Sequence, residues 1–140
     1  DFPENIIGMK DGTGNLWDNF KAKNFSMFVG SEKKLLNGLK LGAVGCISAT
    51  TNVTGSLAKK VFDDFHKSGD SSSDEKLKAL RTVFDDTGNL ISALHTLKSM
   101  ENEVYKNMLP PLEMLSEEKK KEMLKKLKDL NFLSNKNIAA

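Results

Sequence analysis

Residues 5–14 read Asn-Ile-Ile-Gly-Met-Lys-Asp-Gly-Thr-Gly, and their pattern sets the fold class of the N-terminal part of the chain. An apolar run of strand length, Asn5 to Met9, ends on a charged residue and passes straight into a glycine-rich turn. Two runs of the same kind follow, Phe25 to Val29 (FSMFV) and Ala43 to Ala49 (AVGCISA). Apolar residues stand on consecutive rather than alternate positions, as a strand covered on both faces of a parallel sheet requires. Between the runs lie two helix-like segments, Leu16 to Ala22 and Ser31 to Leu41; Ser31-Glu32 supplies an N-cap to the second and Gly42 a stop. The order βαβαβ predicts an α/β fold. Three parallel strands alone would leave edges and apolar faces uncovered, so the pattern also predicts part of a larger sheet.

From Ser56 onward the chain reads as helices. Leu57, Val61, Phe62 and Phe65 form one stripe that stops at Ser68-Gly69. A polar break at Asp70 to Ser73 starts a second helix bearing Leu77, Leu80, Val83 and Phe84, and Leu90 to Lys98 suggests a third. Pro110-Pro111 interrupts the chain, and Ser116 opens a last helix with Met123, Leu127 and Leu130 on one face. The expected organisation is therefore strands and short helices over 1–55 and helices over 56–140.

The rest of the composition narrows the function classes. A net charge of +2 over 140 residues is too balanced to imply a nucleic-acid or membrane partner. Apolar stretches run to about five residues, against the roughly 20 needed to cross a bilayer. One cysteine cannot pair within the chain and DFPENIIG carries no secretion signal, so the expectation is cytoplasmic. The missing initiator methionine reads as a start partway through a longer gene product. Cys46 lies inside an apolar run and His66 and His95 in helical segments, none with ligand spacing, so no metal site is expected.

Lys10 is the most informative position. It directly follows an apolar parallel-strand run, and the C-terminal ends of such strands are where α/β active sites collect. A lysine there can serve as a nucleophile. An ordinary lysine amine is neutral in only about one molecule in 2,500 at pH 7, and an apolar site removes much of that cost. Read from position alone, a solvated lysine at a loop entrance remains the alternative. Gly12-Thr13-Gly14 does not complete a dinucleotide fingerprint and reads as a tight turn. Gly30 and the stretch Ala49 to Asn52 end the other two runs and would face the same pocket.

NIIGMKDGTGNL, FVGSE and LGAVGCISATTN together resemble the C-terminal half of the dihydrodipicolinate synthase and N-acetylneuraminate lyase family, class I pyruvate aldolases built on a (β/α)8 barrel. PPLEMLSEEKKKEMLKKLKDLNFL resembles that family's closing segment. The resemblance implies strands 6 to 8 of a barrel followed by a C-terminal helical segment. It makes Lys10 the catalytic residue, forming a Schiff base with pyruvate or a 2-keto acid. Thr13, Gly30, Glu32, Ile47 and Ala49 become substrate-binding positions, with Glu32 turned toward substrate hydroxyls and Ile47 and Ala49 offering backbone groups. It implies no cofactor beyond the covalent imine, small-molecule 2-keto acid and aldehyde substrates, and a homo-tetramer for the complete protein.

The family's strand-2 carboxylate turn and strand-5 tyrosine would precede Asp1, and Tyr105, in the C-terminal helices, does not match the latter. Either the missing barrel half or self-association would then cover the exposed strands. SALHTLK (92–98) with PPLEML (110–115) is most similar to archaeal 2-keto-3-deoxygluconate aldolases. That favours reversible aldol chemistry on a 2-keto-3-deoxy sugar acid. Condensation of pyruvate with aspartate semialdehyde stays open, as does a non-catalytic fragment acting only as an assembly module.

Overall fold

In the computed structural model, which describes residues 4–14, 16 and 23–133, the three apolar runs form parallel strands β1 (Gly8–Asp11), β2 (Ser26–Val29) and β3 (Gly45–Cys46), adjacent in the order β1-β2-β3. Gly8 is in register with Ser26, Lys10 with Phe28, and Phe28 with Gly45. The α/β fold and parallel adjacency are as expected. The first strand is shifted: it begins at Gly8 rather than Asn5, and Ile6 and Ile7 are 57% and 65% exposed. Among the described residues β1 pairs along one side only, so the isoleucines preceding it have no neighbouring strand to stack on. The expected helix over Leu16 to Ala22 lies outside the described residues, apart from Leu16 itself.

The chain divides into two compact units, Asp1–Lys78 and Ala79–Ala140. In the first, a single 3-10 turn at Glu32–Lys34 leads into α1 (Leu35–Lys40), with Ser31 as N-cap, its hydroxyl accepting the Lys33 amide. Leu35, Leu36 and Leu39 are buried with Ala58 and Val61 of α2 (Thr51–Ser68) and with Leu77 of α3 (Asp74–Asp85). Met27, Val29 and Ala43 form a second cluster, and half-buried Cys46 packs against both. The cysteine is thus a packing residue, as its apolar run suggested.

The α2 helix starts at Thr51, so residue 55, expected to close the strand region, lies inside it. The first turn and a half is Thr-Asn-Val-Thr-Gly, all weak helix formers, which hides the start from a propensity reading. Its end is where the stripe stops, at Gly69 in the left-handed conformation (φ 76°), whose amide donates to the Phe65 carbonyl.

The second unit buries Leu80, Val83 and Phe84 of α3, Ala93, Leu94 and Leu97 of α4 (Leu90–Lys98), and Met123 and Leu127 of α5 (Glu117–Asp129). The last two helices begin at side-chain caps: Asn89 accepts the Ser92 amide at 3.1 Å and Ser116 the Lys119 amide at 3.4 Å. Among the described residues no helix is long and apolar enough to cross a membrane.

Candidate active site

The C-terminal ends of β1, β2 and β3 present three turns side by side, and the expected site residues lie on them. Lys10, Phe28 and Gly45 are mutual register partners and therefore share one face of the sheet. Gly30, just past β2, comes against Lys10: a Cβ built on it would stand 2.8 Å from Gly12 Cα, 2.9 Å from the Asp11 carbonyl oxygen and 3.1 Å from Lys10 Cε. Only a residue without a side chain lets the β1 turn approach this closely. The structure therefore brings Lys10 and Gly30 together.

The surroundings of Lys10 differ from expectation. The side chain is exposed, as are Ile6, Ile7 and Met9 before it, so the described residues do not supply the apolar cover expected of this strand. The cause is again the one-sided pairing of β1. The Lys10 amine makes no hydrogen bond or ion pair with any described residue. Asp11, next along, points the other way and is 2% exposed. Its carboxylate accepts the Thr13 hydroxyl at 2.6 Å, the Thr13 amide at 2.8 Å and the Leu16 amide at 2.8 Å. These donors, the Thr13 hydroxyl first and the Leu16 amide next, hold the Asp11 carboxyl far below the usual carboxylate range. Thr13 therefore braces the turn through Asp11, and its carbonyl accepts Lys34 Nζ at 3.2 Å.

Glu32 requires a correction. Its side chain, expected to face substrate hydroxyls, is fully buried, and protein hydroxyls occupy it instead. Ser48 donates to Oε2 at 2.5 Å, while Thr50 and, at 3.0 Å, Thr54 donate to Oε1. A buried carboxylate needs several donors, and two hydroxyls from the β3–α2 connection with one from the first turn of α2 help to provide them. At the end of β3 the Ile47 amide donates to the Val29 carbonyl at 3.0 Å, and the Ala49 carbonyl accepts from the Asn52 amide and side chain. Ile47 itself is 52% exposed.

Sequence reasoning missed Asp11, Ser48, Thr50 and Thr54. The available signal was the hydroxyl run Ser48-Ala49-Thr50-Thr51 with Thr54, since positions 50 and 54 share one face once α2 begins. Among the described residues no group of three or more His, Cys, Asp or Glu could hold a metal ion. Exposed His66 packs its ring on Phe62 and Phe65, and His95 Nδ1 lies 2.8 Å from the Tyr105 carbonyl oxygen.

Comparison with known proteins bears on both fold and family. The chain superimposes on N-acetylneuraminate lyase from Fusobacterium nucleatum with a TM-score of 0.78 and 22% identity, over 94% of this chain and 46% of that one. A prophage protein of the dihydrodipicolinic acid synthase family from E. coli K12, solved in complex with pyruvate, matches with a TM-score of 0.78 and 21% identity over 93% and 48% of the two chains. A DapA-like lyase of Chloroflexus aurantiacus is 32% identical over 84 residues, covering 56% of this chain and 28% of its own. The chain thus spans about half the length of these solved structures and less of the curated relative. The structural matches carry the fold. The model of the dihydrodipicolinate synthetase family matches residues 3–130, almost the whole length, strand ends and C-terminal helices together. On that match the chain belongs to the dihydrodipicolinate synthetase family.

Proposed function

We propose that this chain carries the Schiff-base part of a class I, pyruvate-dependent aldolase or lyase. In this reading β1, β2 and β3 are strands 6, 7 and 8 of a (β/α)8 barrel and Lys10 is the nucleophile. The observation that carries it is Lys10 itself: an amine without a hydrogen bond or ion pair to any described residue, at the C-terminal end of a parallel strand and against Gly30. The exposed Ile6, Ile7, Met9 and Ile47 support the larger sheet, because an apolar surface around a one-sided strand calls for cover. We assign that cover to the remaining strands of the barrel and, in the complete protein, to assembly as a homo-tetramer.

The chemistry follows from the amine. Neutral Lys10 adds to the keto carbon of pyruvate, water leaves, and a protonated imine remains. The imine withdraws electrons from C3. In the pyruvate imine C3 loses a proton; in the imine of a longer 2-keto acid the C4 hydroxyl loses its proton and the C3–C4 bond breaks with release of an aldehyde, each giving the enamine. The enamine then attacks an aldehyde in the synthetic direction. The electron sink is covalent and calls on no external cofactor. The substrate we favour is a 2-keto-3-deoxy sugar acid such as 2-keto-3-deoxygluconate, formed from pyruvate and a hydroxyaldehyde. The SALHTLK and PPLEML segments support it.

The test is reductive trapping on the full-length protein. Pyruvate with borohydride is expected to leave a reduced adduct on Lys10 and on no other lysine, and Lys10→Ala to lose it while keeping the fold. Adduct on a different lysine, or turnover surviving in Lys10→Ala, refutes the assignment. Glyceraldehyde turned over with pyruvate supports the sugar-acid substrate; turnover of aspartate semialdehyde alone replaces it with the dihydrodipicolinate reaction.

A further inference from the structure

Glu32 links two turns that the sequence keeps sixteen residues apart. It begins the 3-10 turn after β2, two residues beyond Gly30, yet its carboxylate accepts from Ser48 and Thr50 of the β3–α2 connection and from Thr54 in the first turn of α2. The hydroxyls of Ser48 and Thr50 both lie within hydrogen-bond distance of the Glu32 carboxylate, and their oxygens stand 3.2 Å apart. Thr50 is the N-cap of α2 but makes no side-chain cap bond, because its hydroxyl is turned to Glu32. Thr51 restores a tie at the helix start by donating to the Ser48 carbonyl at 2.5 Å. A favourable local cap has been exchanged for a long-range contact to a buried charge.

We infer that Glu32 is a positioning residue. Its carboxylate holds the Ser48–Thr50 turn onto the turn that follows Gly30, so that the backbone at Gly30 and at Ile47–Ala49 moves as one body past Lys10. This deepens the Schiff-base reading and rests on it for the catalytic consequence, though the coupling of the two turns does not. Hydrogen bonds to a charged group in a dry site are strong, and a half-satisfied network is weaker than its parts suggest. Removing the charge should therefore loosen both turns, including the one that does not contain Glu32.

The experiment uses full-length protein with Glu32→Gln, Thr54→Val and Thr54→Ser. Amide hydrogen exchange reads the coupling. Glu32→Gln is expected to speed exchange about tenfold or more at residues 47–51 as well as 31–33, with α5 unchanged, on the strength of the lost charged hydrogen bonds. Thr54→Val should move the same amides less, and Thr54→Ser, which keeps the hydroxyl, should restore them. Borohydride trapping reads the consequence: the pyruvate concentration for half-maximal adduct on Lys10 should rise about tenfold in Glu32→Gln, with the saturating rate much less changed. Faster exchange confined to residues 31–33, or spread evenly over the protein, overturns the inference, as does an unchanged half-saturation with wild-type trapping intact. Absence of any Lys10 adduct in the wild type instead defeats the Schiff-base reading, while the exchange data still decide whether the turns are coupled.

Discussion

Replacing Gly30 with alanine should injure the candidate site through contact alone. The backbone there is outside the left-handed region, so the new methyl group brings no dihedral strain. Its Cβ would lie 2.8 Å from Gly12 Cα and 2.9 Å from the Asp11 carbonyl oxygen, where ordinary van der Waals contact begins near 3.4 Å. Both are backbone atoms, and neither can rotate away. The third neighbour, Lys10 Cε at 3.1 Å, belongs to a flexible side chain and would swing aside. The β1 turn must therefore retreat by about half an ångström, an overpacking of the kind that costs about 1–3 kcal/mol. Gly12→Ala is the control, since nothing lies within 4 Å of a Cβ at that position. Denaturant unfolding should show Gly30→Ala destabilised by about 1–3 kcal/mol at unchanged m-value, with Gly12→Ala within about 0.5 kcal/mol of wild type. Pyruvate trapping on Lys10 should slow in Gly30→Ala, because the displaced group is the one that forms the imine. Equal stability and equal trapping in the two variants would refute the close approach and, with it, the placement of Gly30 beside Lys10.

Two other substitutions probe different links. Gly55 sits within α2 with nothing within 4 Å of an added Cβ, so Gly55→Ala should stabilise the protein by about 0.5–1 kcal/mol in denaturant unfolding; a loss would mean that the helix does not run unbroken through that position. The Asp11 carboxyl is held far below its ordinary value in the folded protein, so its contribution is fully present above the unfolded value near 3.8 and is lost as pH falls through the lower folded one. Asp11→Asn should accordingly be less stable than wild type at neutral pH, with the gap in Tm narrowing as pH falls below about 4; parallel Tm curves down to the acid limit would show that the turn does not depend on that charge.

The legibility of this chain in its sequence was uneven, for identifiable reasons. Consecutive apolar residues gave away three parallel strands, though β1 is largely exposed among the described residues, and Leu77, Leu80, Val83 and Phe84, or Met123 and Leu127, gave away helix faces that are buried in the structure. Gly69, Asn89 and Ser116 end or begin helices because of their own backbone and side-chain chemistry, which any reader of the sequence can apply. The start of α2 was hidden because its first residues are weak helix formers held there by contacts elsewhere, Thr50 and Thr54 to Glu32 among them.

Lys10 was found because strand-end position and motif are both local. What Lys10 and Glu32 meet was not local. An acidic residue after Gly30 reads equally well as a substrate ligand or as a buried anchor, and the difference depends on whether Ser48, Thr50 and Thr54, sixteen to twenty-two positions away, arrive to satisfy it. Apolar pattern and caps act between near neighbours along the chain, so the sequence by itself determined the order of the three strands and of the helices that follow them. Burial of a charge is decided by which donors the packed chain brings to it, so only the tertiary structure could assign Glu32 to the protein's own hydroxyls and leave Lys10 standing exposed beside Gly30.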